Sequence, residues 1–328
     1  VLAGTTYEWF ASRADAKHFP EQGRLVDIGG LRLNLDCSGT SSPGGPTVIL
    51  ESGAGIPAYG WHLVQPEIAK FAHVCSYDRA GYGWSDRPVQ MPRTSLQEVR
   101  ELHALLRNAA VPPPYILVGH SLGGYLIRVY NGQYPNEVAG AVFVDSSHED
   151  QMQRMGPEMR KVMQSFQPSR SQVAVIGLLI HTGALRFLQH QQQPQAKLPM
   201  DFIETMGYLQ RRTGIMQMQT VGQEMESFDE SANEVRNSGN FGSKPLMVLT
   251  AGKMMNMPGV PKAALDSFHE TWVHDLQPQV ARLSTQGKQI VVAESDHGIP
   301  AEAPQTIVDA VRSVLQSTNS PSEVRGGN

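Results

Sequence analysis

Long apolar runs are missing from this sequence. No stretch of about 18 or more apolar residues occurs in its 328 positions, so the chain as given has no membrane-spanning helix. Cysteine is nearly absent: Cys37 and Cys75 are too few for a structural zinc site or a disulfide framework. Two free thiols and a single disulfide both stay open. Charge of one sign is lacking as well, since 27 Lys and Arg against 31 Asp and Glu leave a net −4 and no basic stripe for nucleic acid. With 40% hydrophobic residues and 18% charged, the signature of a disordered chain is also absent. The sequence begins at Val1 rather than Met, so a secretory signal or membrane anchor would have to lie in a segment ahead of it. Extracytoplasmic and cytoplasmic locations are both compatible with that. Internal repeats are not found. The expectation is a soluble globular protein, either two units or one core with a lid.

The positive signals alternate. Residues 1–22 are mixed and polar and read as an arm laid across the body. Arg24–Ile28 and Leu31–Cys37 flank Gly29-Gly30 and predict a β-hairpin. Uniformly apolar runs follow at Thr47–Leu50, Val74–Tyr77, Tyr115–Val118, Ala141–Val144, Leu246–Thr250 and Gln289–Ala293. Runs without alternation are what strands covered on both faces look like. Between them lie helical stripes: Leu96, Val99, Leu102, Leu105, Leu106; Phe268, Trp272, Leu276, Val280, Leu283; and Ile307, Val311, Val314, Leu315. This alternation predicts a parallel sheet wound on both sides, with the hairpin adding an antiparallel part. The core is expected at 23–147 and 244–316. It is interrupted by a helical cap over 148–243 that holds 9 of the 14 Met residues and a Gln-rich tract, Gln189–Gln195. Residues 317–328 read as a frayed tail.

Gly119-His120-Ser121-Leu122-Gly123 sits between the run Tyr115–Val118 and the helical stretch Leu122–Tyr134. That is the context of a nucleophile elbow. A strand turning sharply into a helix needs small residues two before and two after the nucleophile, and Gly119 and Gly123 supply them. Ser121 would project above the strand ends beside a helix N-terminus. A serine hydroxyl is a weak nucleophile and needs a base. His297, on the loop after the last predicted strand, is the candidate. For the acid that orients it, the loop after Leu246–Thr250 offers Asn256 but no carboxylate. Asp145, at the end of Ala141–Val144, is therefore preferred, with Asp296 as a further alternative. An oxyanion needs two preorganised donors. These are assigned to the N–H groups of Leu122 and of Ala54 in Glu51-Ser52-Gly53-Ala54-Gly55.

Gly-His-Ser-Leu-Gly-Gly at 119–124, Tyr-Asp-Arg-Ala-Gly-Tyr-Gly-Trp-Ser-Asp at 77–86 and Asp-His-Gly-Ile-Pro at 296–300 resemble the α/β-hydrolase superfamily over about residues 24–316. The resemblance implies an eight-stranded, mostly parallel sheet wrapped by helices, a lid after strand 6, a Ser-His-acid triad and no cofactor. Many relatives carry His-Gly where this chain has Ser52-Gly53. An acid after strand 6 resembles the subgroup that includes haloalkane dehalogenases and some lactone hydrolases, but a dehalogenase would need a carboxylate at 121. The resemblance also implies that the strand ending at Cys37 neighbours the one holding Cys75, which would allow a cross-strand disulfide and suggest an extracytoplasmic home.

Together these predict a serine esterase acting on a small hydrophobic or aromatic ester or a lactone, with amidase, acyltransferase or a non-catalytic receptor as rivals. Met152, Met155, Met159 and Met163 are spaced to share one helical face, either lining an apolar site or packing the lid onto the core or onto a second subunit of a homo-oligomer. Expected substrate contacts are Gly53, Gly55, His120, Met152 and Met155. His148, Glu149 and Asp150 read as solvated polar residues with no metal site, and Glu51 and Arg79 as an ion pair tying the oxyanion loop to the 78–86 loop.

Overall fold

The structure, a computed structural model, describes residues 2–40, 42–164, 168–191 and 198–319. The chain opens on helix α1 (Leu2–His18), followed by the hairpin β1 (Arg24–Asp27) and β2 (Arg32–Ser38). Gly29 and Gly30 close the hairpin at φ of 110° and 87°, a left-handed backbone that favours glycine. Next come β3 (Thr47–Glu51), the single turn α2 (Gln65–Ile68), β4 (Val74–Tyr77), α3 (Ser95–Asn108), β5 (Tyr115–His120), α4 (Gly123–Gln133) and β6 (Val138–Val144). The cap then runs through α5 (Gln151–Arg154), α6 (Pro157–Gln164), α7 (Arg170–His181), α8 (Ala184–Gln191), α9 (Met200–Glu226) and α10 (Phe228–Arg236). The core resumes with β7 (Leu246–Ala251), α11 (Lys262–Thr271), α12 (Gln277–Ala281), β8 (Gly287–Val292), α13 (Ile299–Glu302) and α14 (Pro304–Asn319).

The eight strands form one sheet in the order β1-β2-β4-β3-β5-β6-β7-β8. β1 and β2 pair antiparallel, β2 meets β4 antiparallel, and the others run parallel. Every residue of β3, β4, β5 and β7 is buried, because helices cover both faces. On one face Leu102, Leu105, Tyr125 and Val129 of α3 and α4 pack on Ile49, Leu117 and Phe143. On the other, Ile307, Val311 and Val314 of α14 pack with Ile68 on Val48, Val118 and Val142. Phe228, Ala232 and Val235 of α10, at the end of the cap, join the first of these layers.

Several expectations change. The N-terminal arm is a helix, anchored by Glu8 and Asp15 on Arg186 of the cap. The third helical stripe runs on through residue 319, so the start of the expected tail is helical; residues 320–328 and 192–197, part of the Gln-rich tract, lie outside the described residues. Met152, Met155, Met159 and Met163 do not lie on one helix: Gly156-Pro157 divides α5 from α6, because proline has no N–H to continue the first turn. The stripe from Phe268 to Val280 is one continuous helical path, with a π segment at Trp272–Leu276 between α11 and α12. Cys37 and Cys75 are register partners on β2 and β4 and are joined in a disulfide.

Candidate active site

The elbow follows from steric demands that can be read atom by atom. A Cβ on Gly119 would lie 2.6 Å from the Gly123 carbonyl oxygen, and one on Gly123 would lie 2.5 Å from that of Glu51. Glycine at 119 lets β5 and α4 meet at so sharp an angle, and glycine at 123 lets the start of α4 pass against the end of β3. Ser121 absorbs the turn with φ of 53°, a left-handed conformation that costs a non-glycine residue about 1 kcal/mol or more. It is held by its own N–H donating to Val144 O (3.2 Å) and by the N–H of Ser147 donating to Ser121 O (2.9 Å).

Asp145 is also in the left-handed region, at φ of 40°, just beyond the end of β6. Its carboxylate is fully committed. Oδ2 lies 2.6 Å from His297 Nδ1, and Oδ1 accepts from the Ala251 N–H (2.9 Å) and from Trp272 Nε1 (2.8 Å). Trp272 opens the π segment, and nothing in the sequence pattern distinguished that tryptophan from a core residue. Burial pushes the Asp145 pKa up, but the bonds from His297, Trp272 and Ala251 outweigh it and hold the carboxyl below its usual range. Burial lowers the His297 pKa, while the Asp145 bond and charge raise it further, so the ring ends above the ordinary histidine value. Asn256 is exposed and Asp296 turns instead to the N–H of Gly298 (2.9 Å). Of the three candidate acids, the structure brings Asp145 to His297.

The His297 loop is pinned from two sides. Glu302 Oε2 accepts from Ser295 Oγ and from the Asp296 N–H, each at 3.0 Å. His120 Nε2 stands 2.9 Å from the His297 carbonyl; because a carbonyl only accepts, Nε2 carries the proton. Burial lowers the His120 pKa to about 3, so the ring stays neutral. The ring of His120, expected to contact substrate, is buried between Trp61 and His297 and supports the loop. Among the described residues no hydrogen bond leaves Ser121 Oγ. Such bonds are often long in free enzymes and tighten around substrate.

The loop Glu51–Gly55, expected to bind an oxyanion, is positioned by Arg79. Its guanidinium donates to the carbonyls of Ser52 (2.7 Å) and Gly53 (3.0 Å). In a trans peptide the N–H points away from the C=O. Turning these two carbonyls to Arg79 therefore turns the N–H groups of Gly53 and Ala54 the other way. A Cβ on Gly53 would stand 3.0 Å from Ser121 Cβ and 3.1 Å from His120 Nδ1, so only glycine fits without displacement. The N–H groups of Ala54 and Leu122 have no backbone partner among the described residues. Gly55 is held at both ends, its N–H on Tyr82 Oη (2.9 Å) and its carbonyl on Gln217 of α9 (2.6 Å).

The expected Glu51–Arg79 pair is present at 2.6 Å, within a larger buried network. Arg79 also meets Glu224 of the cap (3.2 Å) and Glu98 (3.6 Å), while Arg93 binds Glu98 (3.1 Å) and Glu101 (2.6 Å). Four carboxylates thus face two guanidinium groups. Burial, together with the charge of Glu224, pushes the Glu98 pKa well up. Replacing Arg79 by lysine keeps the charge but loses the planar fork that reaches both loop carbonyls. Arg79→Lys is expected to cut kcat by about 100-fold with little change in KM, by analogy with loss of one oxyanion donor. Steady-state kinetics at matched thermal stability check this, and an unchanged kcat would detach Arg79 from the loop's function.

Of the residues expected to be solvated, His148 and Glu149 are largely enclosed, while Asp150 stays partly exposed. His148 is buried, Glu149 pairs with Arg128, and Asp150 pairs with Arg236 at 2.8 Å. Met155 and Met159 pack with Met257, Phe268 and Trp272, and Met152 lies against the same cluster, so these side chains join the cap to the helix that carries Trp272. A cavity of about 390 Å³ lined by Asn34, Asp36, Tyr59, His62 and Gln65 includes none of Ser121, Asp145 and His297.

A family profile described as alpha/beta hydrolase fold matches residues 46–253. An AB hydrolase superfamily protein of Gibberella zeae is 24% identical over 327 residues, covering 91% of this chain and 97% of that one. The 2-hydroxy-6-oxo-2,4-heptadienoate hydrolase of Pseudomonas putida is 32% identical over 167 residues, 47% of this chain and 59% of its own. A probable transporter of Hormonema carpetanum is 36% identical over 135 residues, which span 40% of this chain and 19% of that relative's length. Among solved structures, a putative epoxide hydrolase mutant from Pseudomonas aeruginosa superposes with a TM-score of 0.66 at 16% identity, over 90% of this chain and 95% of that one. That likeness concerns the fold alone.

Proposed function

Because the chain belongs to the α/β-hydrolase fold family, we propose that it hydrolyses carboxylic esters through a covalent acyl-enzyme on Ser121. The observation that carries this reading is the 2.6 Å contact between Asp145 and His297 Nδ1, on the loop beside the strained Ser121 elbow. With Nδ1–H donated to the carboxylate, Nε2 keeps the free lone pair that a general base requires. His297 Nε2 takes the proton from Ser121 Oγ as that oxygen bonds to the ester carbonyl carbon. The N–H groups of Ala54 and Leu122 hold the oxyanion. Collapse of the intermediate breaks the C–O bond to the alcohol, which leaves with the proton from His297. Water then repeats the sequence: its proton goes to His297, its oxygen bonds to the acyl carbon, and Ser121 recovers the proton as the acid departs.

A serine at the elbow favours acyl chemistry over epoxide opening. An alkoxide that opened an epoxide would leave an ether on Ser121, which water does not cleave under these conditions, whereas an acyl-enzyme is a hydrolysable ester. A second reading, hydrolysis of a dienoate ketone, is favoured by the 32% identity to the Pseudomonas putida enzyme over 167 residues.

A substrate panel tests the proposal. Initial rates on p-nitrophenyl esters of increasing chain length, on aromatic lactones, on the matching anilides, on styrene oxide and on 2-hydroxy-6-oxo-2,4-heptadienoate are expected to be highest for esters or lactones. Anilides should be slower by about 100-fold or more, since their leaving group needs more assistance. Turnover of the dienoate or the epoxide without turnover of any ester would reject the reading.

A further inference from the structure

Helix α1 is built inside out. A helix on a protein surface ordinarily turns its apolar stripe inward. Here the residues turned toward the body are Gly4, Glu8, Ala11 and Asp15, at helical spacing. Leu2, Tyr7, Trp9 and Phe10 are instead 84%, 59%, 51% and 62% exposed. The inward contacts are close and polar. A Cβ on Gly4 would sit 2.4 Å from the Thr182 carbonyl oxygen, at the junction of α7 and α8. Arg186 of α8 donates to both Glu8 oxygens (2.9 and 2.7 Å) and to Asp15 (2.7 Å), and Arg211 of α9 donates to Asp15 (2.8 Å). Both acidic side chains of α1 are therefore consumed inside the protein, while Arg13, Lys17 and His18 face outward.

The helices beside it continue the pattern. α7 contains the apolar run Val173–Ile180 yet has no buried residue, and it exposes Val175 by 56% and Leu178 by 60%. α8 follows at a bend of 83° and exposes Phe187 and Leu188. Along α7 and α8, from Arg170 to Gln191, the sequence has no Asp or Glu, and Arg170 is exposed besides the paired Arg186. The outer cap is thus apolar, aromatic and cationic at once, which is costly against water and against a cationic partner alike. Apolar side chains with Trp and Tyr at the rim and uncompensated Lys and Arg are the combination that an anionic bilayer surface accommodates. No single described helix is long and apolar enough to cross a membrane, and α7, with 12 residues, spans about 18 Å.

We propose that α1, α7 and α8 form a docking face on which this protein lies against an anionic lipid bilayer, with Trp9 and Phe10 of α1 and Leu178 and Phe187 of the cap entering the headgroup boundary. α7 packs on α9, whose Gln217 holds the Gly55 carbonyl, so the face is coupled through one helix to the oxyanion loop.

Four tryptophans occur, and Trp61, Trp84 and Trp272 are only 2%, 5% and 9% exposed, which leaves Trp9 as the accessible reporter. The purified full chain is mixed with vesicles of phosphatidylcholine alone or of phosphatidylcholine with phosphatidylglycerol, some carrying brominated acyl chains. The expected result is flotation with the anionic vesicles, at least about tenfold weaker with the neutral ones, salt-sensitive, and accompanied by quenching of tryptophan emission by the brominated chains. The combined Trp9→Ser, Phe10→Ser and Phe187→Ser variant should bind about tenfold less or weaker, with hydrolysis of a water-soluble ester unchanged. Leu178→Gln with Leu188→Gln provides an independent variant, and the quenching measurement needs none. Wild-type protein that stays soluble and unquenched beside anionic vesicles overturns the proposal. So does a concentration-dependent dimer that the same substitutions dissolve in the absence of lipid binding, which would make the face a subunit contact.

Discussion

Ser121→Ala is expected to abolish ester turnover, lowering kcat by about a million-fold, the scale on which a covalent catalytic unit fails when its nucleophile is removed. Folding should survive, because the elbow is held by main-chain bonds from Ser121 N to Val144 O and from Ser147 N to Ser121 O, which alanine retains. Alanine resists φ of 53° no more than serine does by bulk, so the strain at the elbow is carried over unchanged. The check that separates chemistry from folding is intact-mass spectrometry after exposure to a fluorophosphonate. The wild type should gain one phosphonyl adduct at Ser121 and the variant none, at equal melting temperatures. Full turnover by the alanine variant would end the covalent reading. An unlabelled but correctly folded wild type would point to a receptor of the same fold.

Asp145→Asn is expected to reduce kcat by about ten-thousand-fold, because an amide at 145 no longer enforces the tautomer that leaves His297 Nε2 free. The substitution is close to isosteric, and its carbonyl oxygen can still accept from the Ala251 N–H and the Trp272 indole. Stability should therefore change far less than activity. A second readout follows from the sign of the His297 shift. The neutral ring is the active base, so activity rises as pH rises through its pKa. Asp145 raises that pKa above the ordinary histidine value. The acid limb of the wild-type kcat profile should then have its midpoint above the ordinary value, and the variant's residual activity should show the limb displaced to lower pH. An unshifted limb, or wild-type kcat, would remove Asp145 from the role of orienting acid.

Much of the core was legible from sequence because its central strands are buried on both faces, whereas β8, read the same way, is an edge strand that leaves Ile290 and Val291 exposed. The apolar runs from Thr47, Val74, Tyr115, Ala141, Leu246 and Gln289 mark six of the eight strands within a few residues, and the Gly29-Gly30 turn marks the other two. The strand-to-helix elbow at Ser121 was legible for a different reason. Its glycines answer a steric demand within a few residues, so the requirement is written locally. The cap was harder. Its helices pack through ion pairs to distant segments, such as Arg186 to Glu8, and periodicity carries no trace of such a contact. For the same reason α1 reads as polar and mixed: the side it turns to the body is Gly4, Glu8, Ala11 and Asp15, which no hydrophobic pattern would reveal.

What the sequence alone determined is therefore whatever depends on near neighbours along the chain: the alternation of strands and helices, and the small residues around Ser121. Only the tertiary structure decided which carboxylate meets His297, that Trp272 and Ala251 hold its other oxygen, that Arg79 turns the Ser52 and Gly53 carbonyls away from the serine, and that His120 braces a loop. Each of these joins residues on different elements, and Asp145 and His297 lie 152 positions apart. Such contacts are fixed by how the sheet and helices pack in three dimensions, and local propensity has no term for them.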